Sequence, residues 1–530
     1  GDILSLTASQ IRPQVPIDIA AVEALPDWRR ALAWPLSHKQ RYDAVRDQMR
    51  SLISFTCETS GDLRDIVLLG GHAMTHNVRA LTEVALALHH ADSLGMQVTG
   101  MRPELAYMRG GRENPELGES PPPLQDIPGN RWARRIARTA SWTPWWRLPG
   151  ACLLPTVVAV THNSLLRDVA RESGERVGFR HADSWLEQIR VRAGKVTPVE
   201  GLDDLAVSLA KLLSTVRGLD TALQQRLGDL IASLARRVMG QAARDLAALK
   251  SCKNIPQRLW SGSGGYYPVR ALSLEVLHRG GTVRRFDHGG ANGFTEEKEG
   301  VAFAEMAVST EYVTATHEVG RMSKAVGPEQ LVESFRKVRI YGHDGDPAFR
   351  RAATLSRRQA GLRRRVVYVP TALIGFRQLY PPLLPDAVSL DWQLRLAETL
   401  ATLPVDLLCR PHPEGHHPGD CHPLSRIAPL AEGSFEEVMS IADLFIFDYP
   451  LTTTFWQCLC TDVPVVFLDM RVDELTSTAR TLIERRCRVI PVTYDEHNLP
   501  QIDCEALADA VVRRSETADP SEFRRLLAGE

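Results

Sequence analysis

The sequence holds 530 residues, 44% hydrophobic and 24% charged, an ordinary globular composition with length for two or three domains. A formal charge of −1 argues against broad nucleic-acid binding, which needs a marked basic excess. Apolar runs break well before the roughly 18 residues a membrane-spanning helix needs. The nine cysteines are scattered, and several lie in apolar runs such as VDLLC, which ends at Cys409. That usage suits buried thiols in a reducing compartment better than a disulfide framework. No secretory signal is recognisable after the opening Gly1-Asp2, so the expected location is cytoplasmic.

In RDIVLLGGHAMTHNVRALTEVALALHHA, the apolar run Ile66 to Leu69 ends in Gly70-Gly71, and a helical pattern follows from about Thr75. This reads as strand, glycine turn and helix of a parallel α/β sheet, with His72 and His76 at the strand end, in a helix-start loop or an acceptor pocket. Arg131 to Gly150 carries four tryptophans and five arginines. Indole rings favour the membrane–water interface and arginines attract anionic headgroups. The stretch therefore reads as a membrane or anion grip, or as a loop packed on the core. PTVVAVTHNSLLRDVARESG from Pro155 is a second strand–helix unit, and a long helical region spans about 201 to 250. SLEVLHRGGTVRRFDHGG is a further unit, and EYVTAT at Glu311 a short strand. The glycine-rich SGSGGYY, Ser261 to Tyr267, resembles a phosphate-cradling turn but lacks the P-loop lysine and the G-x-G-x-x-G spacing.

From about Lys337 the pattern is more regular. VRIYG, RVVYVP, VDLLCRP, DLFIFDYP and PVVFLD read as buried parallel strands with crossover helices. The expected architecture is α/β, two domains facing a central cleft. Residues 1–325 form the first, with a helical insertion at about 200–250, and 326–530 form the second. Seven arginines between Arg350 and Arg365 read as a solvated helix face. Asp344 to Asp346 is a formal Asp-x-Asp match at the junction.

CRPHPEGHHPGDCH, starting at Cys409, holds four histidines. His412 directly follows a strand, where open α/β sheets place their ligand crevice, and its flanking prolines stiffen the backbone. Zinc is the rival reading, but adjacent His416-His417 and a strand-borne Cys409 make poor joint ligands. His417 and His422 read as loop residues. After the strand DLFIF come Asp448-Tyr449-Pro450, the run Thr452-Thr453-Thr454 and a helix. Hydroxyls and N–H groups there suit a phosphate, or a single threonine caps the helix.

These motifs resemble GT-B glycosyltransferases of bacterial surface-polysaccharide assembly. The likeness is to the group of CDP-glycerol glycerophosphotransferases and of capsule and lipopolysaccharide transferases using CMP-activated Kdo or nonulosonic acids. It rests on Arg410 to Pro413, Asp448 to Thr454, Pro464 to Leu468 and the His288-Gly289 turn of VRRFDHGG. It covers about residues 255 to 515 and extends to an uncharacterised surface-carbohydrate-biosynthesis family through LWSGSGGYY, RPHPEG and FDYPLTTTFW.

The resemblance implies two Rossmann-like domains and a glycosyl transfer from a CMP-sugar to a glycan, lipid-linked or protein acceptor. The alternatives are glycerophosphate transfer from CDP-glycerol, a nucleotide-sugar epimerase or hydrolase, and a non-catalytic glycan-binding partner. His288 is expected as base or on the acceptor side, with Asp287 as its alternative. His412 and Arg410 are expected at the donor phosphate. Glu414, Asp448, Thr452, Thr453, Thr454, Ser263, Gly264 and Gly289 complete the expected donor site. No metal or other cofactor is expected, no nucleic acid is expected as partner, and Arg131 to Gly150 is the expected contact with the inner face of the cytoplasmic membrane.

Overall fold

Two parallel sheets carry the architecture, each built from short apolar strands buried on both faces. The computed structural model describes residues 12–23, 27–117, 121, 123–125, 129–193, 199–355, 363–413, 415, 421–472, 474–513 and 519–530. Glu414, His416, His417 and part of the Arg350–Arg365 run lie outside the described residues.

In chain order the first half contributes α1 (His38–Glu58), α2 (His72–Ser93), α3 (Arg131–Ala140), α4 (Leu148–Leu153), β1 (Val157–Ala159), α5 (Ser164–Glu172), β2 (Val177–Phe179), α6 (Leu202–Ser214) and α7 (Thr221–Ser251). Then follow β3 (Arg258–Ser261), α8 (Tyr267–His278), β4 (Thr282–Phe286), β5 (Glu311–Thr314), β6 (Arg339–Gly342) and α9 (Pro347–Ala353). The last part adds β7 (Arg365–Val369), β8 (Asp406–Cys409), β9 (Leu444–Phe447), α10 (Thr453–Leu459), β10 (Val465–Asp469) and β11 (Arg488–Pro491). The first sheet is ordered β2-β1-β3-β4-β5-β6 and the second β8-β7-β9-β10-β11. Each begins on an inner strand, steps out one way and returns on the other side. Each therefore has a switch point, between β1 and β3 and between β7 and β9, where ligand crevices form at the carboxyl ends.

Ile66–Leu69 is not a strand. It lies in a helical run from Gly61 to Ser93, interrupted by one π turn over Val67–Gly71. Val67, Leu68 and Leu69 are fully buried, and a short apolar run bears the same pattern in a buried helix as in a buried strand. The two glycines serve helix packing, since a methyl group on Gly70 would lie 3.3 Å from the Met239 Cα of α7. The Leu68 carbonyl at the π turn accepts two N–H bonds from buried Arg270, at 3.0 and 2.8 Å. His72 and His76 sit inside the first turns of α2 rather than in a loop.

The helical region around 201–250 is α6 and α7. The 31-residue α7 is capped by the Asp220 side chain, which accepts from Leu223 N at 2.9 Å. Its buried stripe, Leu227, Leu230, Ile231, Leu234 and Val238, has the spacing of one helix face. VRIYG forms a strand but belongs to the first sheet, where β6 pairs with β5. The first sheet thus runs past residue 325, and the second starts at β7.

The two halves are sewn together. Glu296 N donates to Glu474 O at 2.8 Å and Thr476 N to Phe294 O at 2.9 Å. Phe294 is fully buried and packs on Trp456 of α10 with ring centroids 4.6 Å apart. On another face, His76 Nδ1 bonds Gln378 O at 3.1 Å, and burial lowers that imidazole to about 4. Among the described residues no helix is long and apolar enough to cross a membrane.

Candidate functional site

The second sheet's switch point is organised by Asp448, just past β9. Its carboxylate is 2% exposed. It accepts from Tyr368 Oη at 2.6 Å, Trp392 Nε1 at 3.1 Å, Thr371 N at 2.9 Å and Thr371 Oγ1 at 2.8 Å. Burial raises its pKa against these bonds. Asp448 therefore fixes the loop that leaves β7 rather than the threonine run after β9. In that run Thr452 caps α10, its Oγ1 accepting from Phe455 N at 3.3 Å and from Thr454 Oγ1 at 3.2 Å. Thr453 is exposed.

The turn after β4 meets this run from the other sheet. A methyl group placed on Gly289 would lie 3.5 Å from Thr453 Oγ1, and one on Gly290 2.8 Å from Phe349 and 3.2 Å from Trp456 Cβ. Both glycines have positive φ, 101° and 78°, so any side chain here meets backbone strain as well as crowding. Asn163, which caps α5, donates from Nδ2 to Phe286 O at 3.1 Å and Asp287 O at 2.9 Å. Beyond the turn, Phe294 anchors the chain in the second core.

Within the turn, His288 is exposed and Asp287 is buried. The Asp287 carboxylate accepts from Asn292 Nδ2 at 2.5 Å and Tyr312 Oη at 3.0 Å. Burial nevertheless raises its pKa to about 6, with neighbouring His288 pulling the other way. A carboxyl that ionises near neutrality suits proton abstraction.

Arg410 and His412 follow β8, the outer strand of the second sheet. They share its carboxyl edge with Thr452, but two strand spacings, roughly 10 Å, separate β8 from β9. Arg410 donates from Nη1 to Ala431 O at 2.5 Å and from Nη2 to Gly433 O at 2.6 Å. At least part of its guanidinium thus braces a neighbouring loop. His412 is exposed, and its carbonyl accepts from Gly415 N at 3.0 Å. Cys409 is buried and Cys421 exposed, so these two thiols face different environments.

Three amides of the SGSGG turn are bonded within the protein rather than offered to a phosphate. Gly262 N donates to Thr161 Oγ1 at 2.9 Å, Ser263 N to Ser261 Oγ at 3.2 Å and Gly264 N to Glu305 Oε2 at 2.6 Å. A carboxylate occupies the place where an anion would sit. Ser263 and Gly264 thus shape the end of β3 through the protein's own bonds.

Asp344 and Asp346 part company: the first is exposed, and the second is buried and caps α9 through Ala348 N at 2.8 Å. A different group has the chemistry of a cation site. Ligand atoms of Asp168, Glu172 and His343 lie within 4.8 Å of one another, although Arg350 Nη1 already stands 3.4 Å from Asp168 Oδ2.

Sequence reasoning missed Asn163, Thr371, Tyr368, Trp392 and Phe294. Only Asn163 left a local signal, an Asn before a helical run in THNSLL. The fold and this edge together define an α/β protein of two parallel sheets joined at a shared, polar carboxyl edge. Compared with known proteins, the chain matches no family model and no curated protein.

Proposed function

We propose that this protein is a glycosyltransferase of bacterial surface-glycan assembly, moving a sugar from a nucleotide donor to an acceptor hydroxyl. The observation that carries the reading is the juxtaposition of the Asp287–Gly289 turn of one sheet with Thr453 of the other. Gly289 and Thr453, 164 positions apart, meet where the second sheet's switch point opens, a place suited to a nucleotide. In this reading the two sheets are the halves of a GT-B arrangement, and cytidine monophosphate activation of Kdo or a nonulosonic acid follows from the motif resemblance.

The chemistry is a substitution at the anomeric carbon. Asp287, or His288 beside it, takes the proton from the acceptor hydroxyl as its oxygen attacks. The bond from the anomeric carbon to the phosphate oxygen breaks, and the nucleotide leaves with the electron pair. The hydroxyls of Thr452 and Thr453 and the His412 imidazole donate hydrogen bonds to the departing phosphate, with Thr454 supporting Thr452. Asp448 acts at a distance by holding Thr371.

Thermal shifts with CMP, CDP, UDP, GDP and ADP test this reading. A nucleotide at 100 times its dissociation constant stabilises by about 2.7 kcal/mol, and CMP is expected to do so. Indifference to all five nucleotides overturns the reading, and a preference for UDP or GDP overturns its cytidine part.

A further inference from the structure

The outer half of the first sheet supplies none of the reacting groups named above, yet it carries its own crevice. At the β1/β3 switch point lies a cavity of about 1010 Å³. Its floor includes Thr161 and His162 after β1, Arg180 after β2 and Ser263 after β3, and α3 roofs it. The volume is at the upper end of small-molecule sites.

The lining charge is one-sided. Arg131, Arg134, Arg135, Arg138 and Arg180 face a single carboxylate, Asp183. Asp183 is 3% exposed and accepts from Gln125 N at 3.0 Å. Arg131 is paired outward with Glu187 at 3.2 Å. Arg180 lies 3.9 Å over the Trp185 ring and donates to the neutral Gln188. Among the described residues, neither Arg138 nor Arg180 has an ion-pair partner. Burial and Arg135 lower Arg180 to about 10, and burial and Arg167 lower Arg138. Like charge gathered in a partly desolvated crevice costs free energy that an anion would offset.

The roof adds a second, independent feature. Residues 131–154 contain four tryptophans and five arginines and no Asp or Glu. Trp145 is 80% exposed, Trp146 64%, Leu153 69% and Leu154 70%. Trp132 lines the cavity and is itself 58% exposed, so the cationic crevice is continuous with the apolar rim. Indoles and leucines beside arginines, with no acid among them, complement an anionic bilayer surface.

We infer that this cavity binds the phosphate- or carboxylate-bearing headgroup of a membrane lipid, and that the hairpin of α3 and α4 enters the bilayer surface beside it. The inference deepens the transfer reading by naming the acceptor as lipid-borne. It rests on that reading only for the word acceptor.

The test is co-sedimentation with vesicles of phosphatidylcholine alone or mixed with phosphatidylglycerol, beside thermal shifts with glycerol 1-phosphate. The intact chain is expected to sediment with the mixed vesicles only. Trp145→Ser/Trp146→Ser, at exposed positions, is expected to lose vesicle binding while keeping the glycerol 1-phosphate shift. Arg138→Gln/Arg180→Gln is expected to lose that shift and to weaken vesicle binding about twenty-five-fold, about fivefold per cation. Equal sedimentation with both vesicle types, or unchanged binding in the arginine variant, overturns the inference. A glycerol 1-phosphate shift without vesicle binding overturns its lipid part. CMP thermal shifts on the same proteins separate the readings: vesicle binding without a nucleotide response removes only the transfer reading, and the reverse result removes only this one.

Discussion

The two switch points have the same topology and opposite electrostatics. At the second sheet the central carboxylate of Asp448 is met by four donors from the protein itself. At the first sheet Arg138 and Arg180 find no carboxylate among the described residues. A crevice whose polar groups are internally satisfied is held in shape before anything binds, whereas one with uncompensated charge is completed by its ligand. The first arrangement suits positioning and the second suits capture.

Substitutions can break or sharpen that contrast. The largest effect is expected from Phe294→Ala, which removes a fully buried ring from the seam between the halves. A loss of about 3–5 kcal/mol in denaturant unfolding is expected, and a loss below about 1 kcal/mol would mean the seam bears no load. Asp448→Ala is expected to cost about 3 kcal/mol, because it orphans the buried Tyr368 and Trp392 donors. Exposed His288→Ala should leave the unfolding midpoint within error, and on the proposed reading it should slow transfer less than the roughly hundredfold or more expected of Asp287→Asn.

The pH dependence has a definite sign. The folded chain keeps the Asp287 proton up to about 6, against 3.8 for the free group. Between those values the fold holds the extra proton, so this carboxyl's contribution to stability falls as pH rises. On the proposed reading transfer needs the ionised form and should rise through about pH 6, and Asp287→Asn should abolish that arm. An unchanged profile in Asp287→Asn would reassign the base to His288. The smallest effect is expected from Arg138→Gln at the other switch point. Relief of repulsion should leave stability unchanged or raise it by up to about 0.5 kcal/mol, and a clear destabilisation would mean that arginine is already paired.

The second sheet was largely legible because parallel strands buried on both faces read as continuous apolar runs. RVVYV, DLLC, LFIF and VVFLD all became strands. β11 escaped notice because its edge position leaves Arg488 and Pro491 exposed, which dilutes the pattern. VRIYG was legible as a strand but not as a member of the first sheet, since periodicity reports local conformation and not the partner strand. Ile66–Leu69 was misread because four apolar residues are too few to set a period. At the site, the turn at Asp287–Gly289 and the threonine run stood out through local chemistry. Thr371 and Phe294 did not, since their roles arise only when segments 77 and 162 residues away close on them.

Phe294 belongs to one half by sequence and to the other by burial. It works as a pin. Prising the sheets apart beside it would empty a ring-sized hole, so the spacing of the two halves is fixed at this point. A second pin stands on another face, where Gln378 bonds both His76 and Glu83 of the first half. On the proposed reading, donor and acceptor would then meet in a groove whose width is set before either arrives.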